Sequence, residues 1–200
     1  MLTEKQIDLF KEIEKYAEEK NVPIMQKRGI DFLCKIIEKS NVKSILEIGT
    51  AIGYSAIKMA DVADDITVTS IERDQDKYML AINNIKKAGM DKRIKLIYGD
   101  ALDTQIEGKY DLLFIDAAKA QYINFFNKFK DNLNDGGIIV SDNMNFHGMV
   151  DNISEIKNRN TRQLVSKIKK YIDFLKTNEE YKTKFYKIGD GIAVTIKKED

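Results

Sequence analysis

The sequence predicts an α/β fold with a mostly parallel central sheet, a helical extension before it and an antiparallel hairpin after it. Five short apolar runs rich in β-branched residues alternate with helical stretches in the middle of the chain, and this alternation is typical of parallel sheets. Two further alternating runs flank the segment 189–191 near the end, which is a hairpin pattern. We therefore expect one α/β domain over residues 1–200.

The predicted elements follow one another without a linker or an internal repeat. The helical extension, residues 1–40, contains helices at 3–20 and 26–39, separated by Pro23, which lacks an N–H and fixes φ. The strands are "KSILEIG", "ITVTSIE", "IKLIYG", "YDLLFID" and "GGIIVSD". Helices are predicted between them at 54–62, 74–88 and 119–132. A basic helix at 161–177 and the hairpin "KTKFYKIGDGIAVTIKK" complete the chain as a unit over 161–200.

The composition bears on nucleic-acid binding, on the cellular compartment and on membrane association. With 33 Lys and Arg against 32 Asp and Glu, the net charge is +1, so attraction to nucleic acid would need a local basic patch. The single cysteine, Cys34, gives no disulfide framework and suits a reducing compartment. The first 20 residues are interleaved with charges, unlike a signal peptide or a membrane span. We expect a cytoplasmic protein with no membrane partner.

A nucleoside-sized site is predicted in the core, residues 41–143. In "ILEIGTAIGYSAIKMA" a strand runs into a helix through Gly49 and Gly53, which permit a tight turn and close approach of a ligand. The spacing is not G-x-G-x-x-G, so a dinucleotide is disfavoured. Glu72 and Asp100 end the next two strands, and an acid at the Glu72 position often accepts ribose hydroxyls. Alternatively, the glycines only form a turn and the acids only cap helices.

A second predicted site lies at the ends of the fourth and fifth strands, where Asp116, Asp142 and Asn143 follow. Carboxylate and carboxamide oxygens without His or Cys suit a hard cation such as Mg²⁺, Mn²⁺ or Ca²⁺. Lys119 begins the next helix, where a neighbouring cation would favour loss of its proton and allow it to act as a base. The alternatives are an N-cap, a turn and a solvated lysine.

The segment 144–160 is long and polar, so we consider it a candidate lid. It contains Phe146, an aromatic ring able to stack on a base, and the only histidine, His147. A dense basic stretch overlaps and follows it, and Arg159 and Arg162 are its arginines. This stretch is a candidate RNA contact. The alternative is a solvated helix face.

These stretches closely resemble the cation-dependent O-methyltransferases of the catechol and caffeoyl-CoA type, through "LEIGTAIGYS", "IERD", "GDAL", "FIDAAKAQY" and "SDNMNFHGMV". The resemblance implies a Rossmann-like class I methyltransferase fold with seven strands, a homodimer, S-adenosylmethionine as methyl donor, and Mg²⁺ or another divalent cation. It implies Lys119 as the general base and a metal held by Asp116, Asp142 and Asn143. The cofactor-binding residues it implies are Glu47, Gly49, Gly53, Ser55, Glu72, Arg73, Asp100, Ala101 and Asp116.

Within that family the sequence looks most like bacterial tRNA 5-hydroxyuridine methyltransferases, through "NVPIM", "NTRQL" and "GDGIAV". That likeness implies a tRNA partner and conversion of 5-hydroxyuridine to 5-methoxyuridine at the anticodon wobble position. His147 departs from the pattern, which favours arginine there, and this weakens one presumed RNA contact. The alternative substrate is a small catechol-like or caffeoyl-CoA-like phenol. A nucleotide-binding module or oxidoreductase is disfavoured because it would leave the Asp116, Asp142 and Asn143 oxygens unused.

Overall fold

The structure is a computed structural model that describes residues 4–146 and 148–198. The helices of this part of the chain are α1 (Glu4–Glu19), α2 (Lys27–Lys39), α3 (Tyr54–Ala60), α4 (Gln75–Lys87), α5 (Tyr122–Phe129) and α6 (Arg159–Lys176). The strands are β1 (Ser44–Ile48), β2 (Thr67–Glu72), β3 (Ile94–Tyr98), β4 (Tyr110–Ile115), β5 (Leu133–Ser141), β6 (Tyr181–Tyr186) and β7 (Ile192–Lys197).

All seven strands join in one sheet with the order β3-β2-β1-β4-β5-β7-β6. The pairs among the first five strands are parallel, whereas β7 runs antiparallel to both β5 and β6. The predicted fold class is therefore confirmed, including the mostly parallel sheet, the closing hairpin and the helical extension. Only β7 runs against the direction of the other strands.

The strand order reverses between β1 and β4. From β1 the chain builds outward to β2 and β3, and it then returns to place β4 on the other side of β1. Loops that leave two such neighbouring strands turn to opposite faces of the sheet, which opens a crevice at the strands' carboxyl ends. This topology places the ends of β1 and β4 around one crevice.

Helices cover both faces of the sheet. The central strands are therefore nearly continuous runs of apolar residues in the sequence. Ile45, Leu112 and Phe114 belong to a core that also includes residues of α1 to α4. Leu46, Leu113 and Ile115 belong to a second core on the opposite face, together with residues of α5 and α6. The alternation of neighbouring strand residues between the two cores holds the sheet in a single register.

Three predicted helices differ from the structure by two residues or more at an end, and the one predicted at 54–62 ends at Ala60. The helix predicted at 119–132 is a 3₁₀ turn (Lys119–Gln121), α5, and a second 3₁₀ turn (Lys130–Asn132). α6 begins at Arg159, two residues before the predicted start, because the Asn158 side chain accepts a hydrogen bond from the Thr161 N–H at 3.0 Å. Asn158 is therefore the N-cap of α6.

The described part of the candidate lid, residues 144–160, consists of turns, a 3₁₀ turn at Ile153–Glu155 and, from Arg159, the start of α6. Backbone bonds from Met144 N–H to the Gly191 carbonyl and from Asn145 N–H to the Asp190 carbonyl tie its start to the β6–β7 hairpin. Among residues 4–146 and 148–198, none of the helices has the length and apolar character needed to cross a membrane.

Candidate functional site

A cavity of about 510 Å³ lies at the carboxyl ends of the central strands, and its volume is within the usual range for small-molecule sites. Both predicted sites contribute to its wall, so the glycine turn and the acidic strand ends form one continuous pocket. The predicted site residues that line it are Gly49, Ser55, Glu72, Arg73, Asp100, Ala101, Asp116, Lys119, Asp142, Asn143 and Phe146.

The turn after β1 requires glycine at position 49. Gly49 has φ +100°, and a Cβ placed on it would lie 2.2 Å from the backbone oxygen of Asp116 at the end of β4. The Gly49 N–H donates to the Ile71 carbonyl at 3.0 Å, which fixes the turn against β2. The backbones of β1 and β4 therefore meet closely at the floor of the cavity.

Glu72 is buried at the end of β2 and is held by two backbone donors. Its Oε2 accepts from the Ala51 N–H at 2.8 Å, and its Oε1 accepts from the Asp74 N–H at 2.9 Å. A carboxylate has about four acceptor positions, so the oriented group retains capacity for ligand hydroxyls. The ribose contact of Glu72 stays a prediction.

Arg73 and Asp100 lie beside Glu72 on the same wall. The Arg73 guanidinium is 3.3 Å from Asp100 Oδ2, and Asp100 Oδ1 accepts from the Leu102 N–H at 2.9 Å. The ion pair is largely exposed, so its main effect is to orient the Asp100 carboxylate rather than to stabilise the fold.

Two residues of the predicted cofactor set, Glu47 and Gly53, do not line the cavity. Glu47 is fully buried beneath it and accepts hydrogen bonds from the Ser55 and Ser70 hydroxyls. Burial raises the pKa of its carboxyl to about 7. Gly53, at the start of α3, lies where a Cβ would be 3.4 Å from Ala81 on α4. Glu47 therefore links the start of α3 to β2, and Gly53 lets the start of α3 lie close to α4.

Asp116 and Asp142 bring two acidic side chains to the other end of the cavity. Asp142 is 2% exposed, and the pKa of its carboxyl is raised, first by burial and then by the charge of Asp116. The Asp116 carboxyl also has a raised pKa because burial outweighs the opposite effect of Lys119. A bound cation would relieve the repulsion that the Asp116 charge exerts on an ionised Asp142 carboxylate.

Lys119 is the cationic side chain nearest to Asp116. It starts the 3₁₀ turn that follows β4, and its Nζ is 3.7 Å from Asp116 Oδ1, with both side chains about one fifth exposed. The amine therefore faces the cavity beside the acidic groups. The role of Lys119 as a base stays a prediction.

Asn143 completes the predicted oxygen set. It has a left-handed backbone with φ +64°, a conformation that asparagine tolerates better than most residues. Among the described residues, no three His, Cys, Asp or Glu side chains converge as a metal site. A cation here would instead be bound by two carboxylates and the amide oxygen of Asn143, a donor set suited to Mg²⁺ or Mn²⁺.

Sequence reasoning did not find two parts of the wall. Asp190, from the β6–β7 turn, is buried at 4% exposure and lines the cavity beside Asn143. The segment between α1 and α2, residues 23–26, forms another part of the wall. The "GDG" sequence marked only a turn, because the adjacency of β7 to β5 cannot be deduced from local sequence.

The candidate substrate and RNA contacts separate in the structure. Phe146 has φ +42° and lines the cavity. Arg159 is exposed at the start of α6, and the Arg162 guanidinium donates two hydrogen bonds to the Ile156 carbonyl, so neither lines the cavity. His147 lies outside the described residues.

Comparison with known proteins identifies relatives over nearly the whole chain. The model of the O-methyltransferase family matches residues 3–198. The crystal structure of a candidate caffeoyl-CoA O-methyltransferase from Staphylococcus aureus superposes with a TM-score of 0.91 and 38% identity, over 94% of this chain and 92% of that chain. A candidate caffeoyl-CoA O-methyltransferase of Arabidopsis thaliana is 30% identical over 91% of this chain and 81% of its own length.

A more distant structure shares the fold. The S-adenosylhomocysteine (SAH)-bound methyltransferase PaMTH1 from Podospora anserina has a TM-score of 0.87 and 22% identity, over 99% of this chain and 89% of that chain. Several other plant relatives are matched over only slightly more than half of their own length.

Proposed function

This chain belongs to the O-methyltransferase family, and from that membership we propose that it transfers a methyl group from S-adenosylmethionine to a hydroxyl of a catechol-like phenol, with a divalent cation in the acidic end of the cavity. The observation that carries the proposal is the single cavity lined by Glu72 at one end and by Asp116, Asp142 and Lys119 at the other. A methyl donor and a methyl acceptor bound in this cavity would lie next to each other.

The cofactor end suits the adenosine part of the methyl donor. Glu72 offers oriented oxygens to ribose hydroxyls, and Gly49 lets the end of β1 lie against the Asp116 backbone at the cavity floor. A fold relative contains the demethylated product of this donor. S-adenosylmethionine supplies an electrophilic methyl group on a sulfonium. The chain's own task is to hold that group and to exclude water.

The acidic end suits a divalent cation. Asp116, Asp142 and Asn143 would hold it. The pKa of the Asp142 carboxyl is raised first by burial and then by the charge of Asp116, and such an ion would neutralise that charge. When bound, the cation supplies Lewis acidity toward a phenol oxygen. Lys119, whose Nζ faces the same end, would take the hydroxyl proton, which leaves the substrate oxygen able to attack the methyl carbon.

The relatives and the side chains of the cavity wall both support a phenol as the substrate. Relatives matched over most of this chain are described as candidate caffeoyl-CoA O-methyltransferases. Phe125 and Phe146 line the cavity, and so do Ile24 and Met25 from the segment between α1 and α2. Apolar and aromatic side chains of this kind would pack against a phenol ring.

A substrate panel tests the proposal. Purified protein, S-adenosylmethionine and Mg²⁺ would be incubated with caffeoyl-CoA, with a simple catechol and with tRNA containing 5-hydroxyuridine, and the products would be identified by mass spectrometry. We expect methylated caffeoyl-CoA or methylated catechol as the product. Its formation should be lost in the presence of EDTA and in the Asp142→Ala variant. The control variant Asp135→Ala, which changes an exposed aspartate at the start of β5, should retain activity. Methyl transfer that is insensitive to EDTA would contradict the role of the cation.

A tRNA containing 5-hydroxyuridine is the second candidate substrate. The observation that favours it is a set of exposed basic side chains on and before α6, a helix that packs against the turn containing Lys119. They are Lys157, Arg159, Arg162, Lys167, Lys169 and Lys170. Binding through phosphates would weaken steeply with added salt. Salt-sensitive formation of 5-methoxyuridine, faster than catechol methylation, would replace the phenol assignment with this one.

A further inference from the structure

Asp190 is an acidic side chain that the proposed chemistry does not yet use. It lies in the turn between β6 and β7, at the far end of the chain from the other cavity residues, and it is buried at 4% exposure. Burying a charged group is costly unless it is well bonded. A turn aspartate with only a capping role would ordinarily remain at the surface, so this placement suggests a function in the cavity.

One partner of Asp190 is the amide of Asn143. The Asn143 Nδ2 donates a hydrogen bond to Asp190 Oδ2 at 3.2 Å. An ionised carboxylate can only accept hydrogen bonds, so it selects the NH₂ end of the amide. The carbonyl oxygen, which is the only end able to bind a cation, is thereby left for the cavity. Without this contact, the amide has two nearly equivalent orientations about its last torsion.

The backbone holds the two side chains in fixed relation. Met144 N–H donates to the Gly191 carbonyl at 2.9 Å, and Asn145 N–H donates to the Asp190 carbonyl at 2.8 Å. The approach is so close that a Cβ on Gly191 would lie 2.6 Å from the Asn145 nitrogen. The hairpin therefore presents Asp190 to Asn143 as part of a rigid unit.

We propose that Asp190 is a positioning residue, which orients the Asn143 amide and so sets the affinity of the acidic end of the cavity for a divalent cation. This inference rests on the proposed function. A direct ligand role is less consistent with the geometry, because the Asp190 Oδ2 already accepts a hydrogen bond from the Asn143 amide. Partners that orient metal ligands typically change affinity by about 10–100-fold when removed.

The test measures Mn²⁺ binding by isothermal titration calorimetry, without methyl donor or substrate, in wild type, Asp190→Ala and Asp190→Asn. We expect Asp190→Ala to weaken binding by roughly 10–100-fold. Asp190→Asn should remain closer to wild type than to Asp190→Ala, because its carbonyl oxygen still accepts from Asn143. Asp135→Asn, an exposed charge-matched control on β5, should bind as wild type does.

Three results would overturn the proposal. Wild-type affinity in Asp190→Ala would show that Asp190 has no role, and equal losses in the two variants would assign its effect to charge or to direct ligation. Absence of Mn²⁺ binding in wild type would remove the cation from the proposed function and this inference with it. Unfolding midpoints measured in EDTA identify any variant that does not fold. If Asp190→Ala does not fold, the nearly isosteric Asp190→Asn still allows its Mn²⁺ affinity to be compared with that of wild type.

Discussion

At the scale of single residues, the acidic end of the cavity combines groups that are unfavourable separately. Burial raises the pKa of the Asp116 and Asp142 carboxyls, and the charge of Asp116 raises that of Asp142 further. Lys119 is the cationic group beside Asp116. Such pairs, whose environment shifts their protonation, are common where proton transfer is needed. Asp116, Asp142 and Lys119 would therefore place a bound cation and a base next to each other.

Lys119→Ala should lower kcat by about 10²–10⁴-fold, the usual contribution of a general base. Affinity for S-adenosylmethionine should remain within about threefold, because Lys119 lies at the acidic end rather than beside Glu72. Residual activity should increase with pH as hydroxide replaces the amine. Steady-state kinetics and calorimetric titration measure both quantities. Lys86→Ala, at an exposed position of α4, is the control, and an unchanged kcat in Lys119→Ala would refute the assignment.

Glu47 should make the folded protein less stable as pH rises. Burial raises the pKa of its carboxyl from 4.5 to about 7, so between these values the folded state keeps a proton that the unfolded chain has released. The free energy of unfolding therefore falls from about pH 4.5 to about pH 7 and then levels off, by up to about 3 kcal/mol. In Glu47→Gln this contribution should be absent.

Urea unfolding of wild type and Glu47→Gln at pH 5 and pH 8 measures that difference. Glu38→Gln, at an exposed position of α2, is the matched control and should follow wild type. An identical pH dependence in wild type and Glu47→Gln would mean that Glu47 does not bind the proton.

At the scale of elements, the β1–α3 turn shows how a backbone contact produces a binding surface. Gly49 lets the end of β1 approach the backbone of Asp116, which lies directly after β4. Ala51, in the same turn, has φ +47° and donates its N–H to Glu72. This short turn therefore positions two acidic residues, Glu72 at the cofactor end of the cavity and Asp116 at the acidic end.

Gly49→Ala should destabilise the protein by more than about 2 kcal/mol and abolish binding of S-adenosylmethionine, because the new Cβ would lie 2.2 Å from the Asp116 carbonyl oxygen. Gly108→Ala is a matched control. Gly108 has a similar φ of +91°, but nothing lies within 4 Å of its added Cβ, so only backbone strain of about 1–2 kcal/mol applies. Urea unfolding and calorimetry give both readouts. Equal destabilisation in the two variants would contradict the close contact.

Strand-end reasoning predicted Glu72, Asp116, Asp142 and Asn143 because parallel strands deliver their carboxyl ends to one edge of the sheet. It did not predict Asp190, since that depends on β7 pairing with β5, a long-range choice that local periodicity does not encode. The cofactor contact at Glu47 was implied by the family resemblance alone, and in the structure Glu47 is fully buried and does not line the cavity.

At the scale of the whole molecule, the sheet order brings together side chains that are far apart in sequence. Gly49, Asp116, Asn143 and Asp190 come from four different loops and line one cavity. The cavity therefore exists only in the folded chain. A cation that binds there should bind the native state and not the unfolded state.

Mg²⁺ should consequently raise the unfolding temperature. At about 100 times Kd the stabilisation is about 2.7 kcal/mol, which for a chain of this length is roughly 5–10 °C. EDTA should reverse the shift, and lower pH should reduce it, because the raised pKa of the Asp142 carboxyl makes protons compete with the ion. Differential scanning fluorimetry on wild type and Asp142→Ala measures this. Equal shifts in both would place the stabilising ion elsewhere.

The central claim, that the acidic end of the cavity binds a divalent cation for methyl transfer, is tested most directly by anomalous diffraction from crystals grown with Mn²⁺. We expect one strong anomalous peak at coordination distance from the oxygens of Asp116, Asp142 and Asn143. Crystals in which Mn²⁺ scatters only at other positions, with these three side chains unligated, would contradict the account.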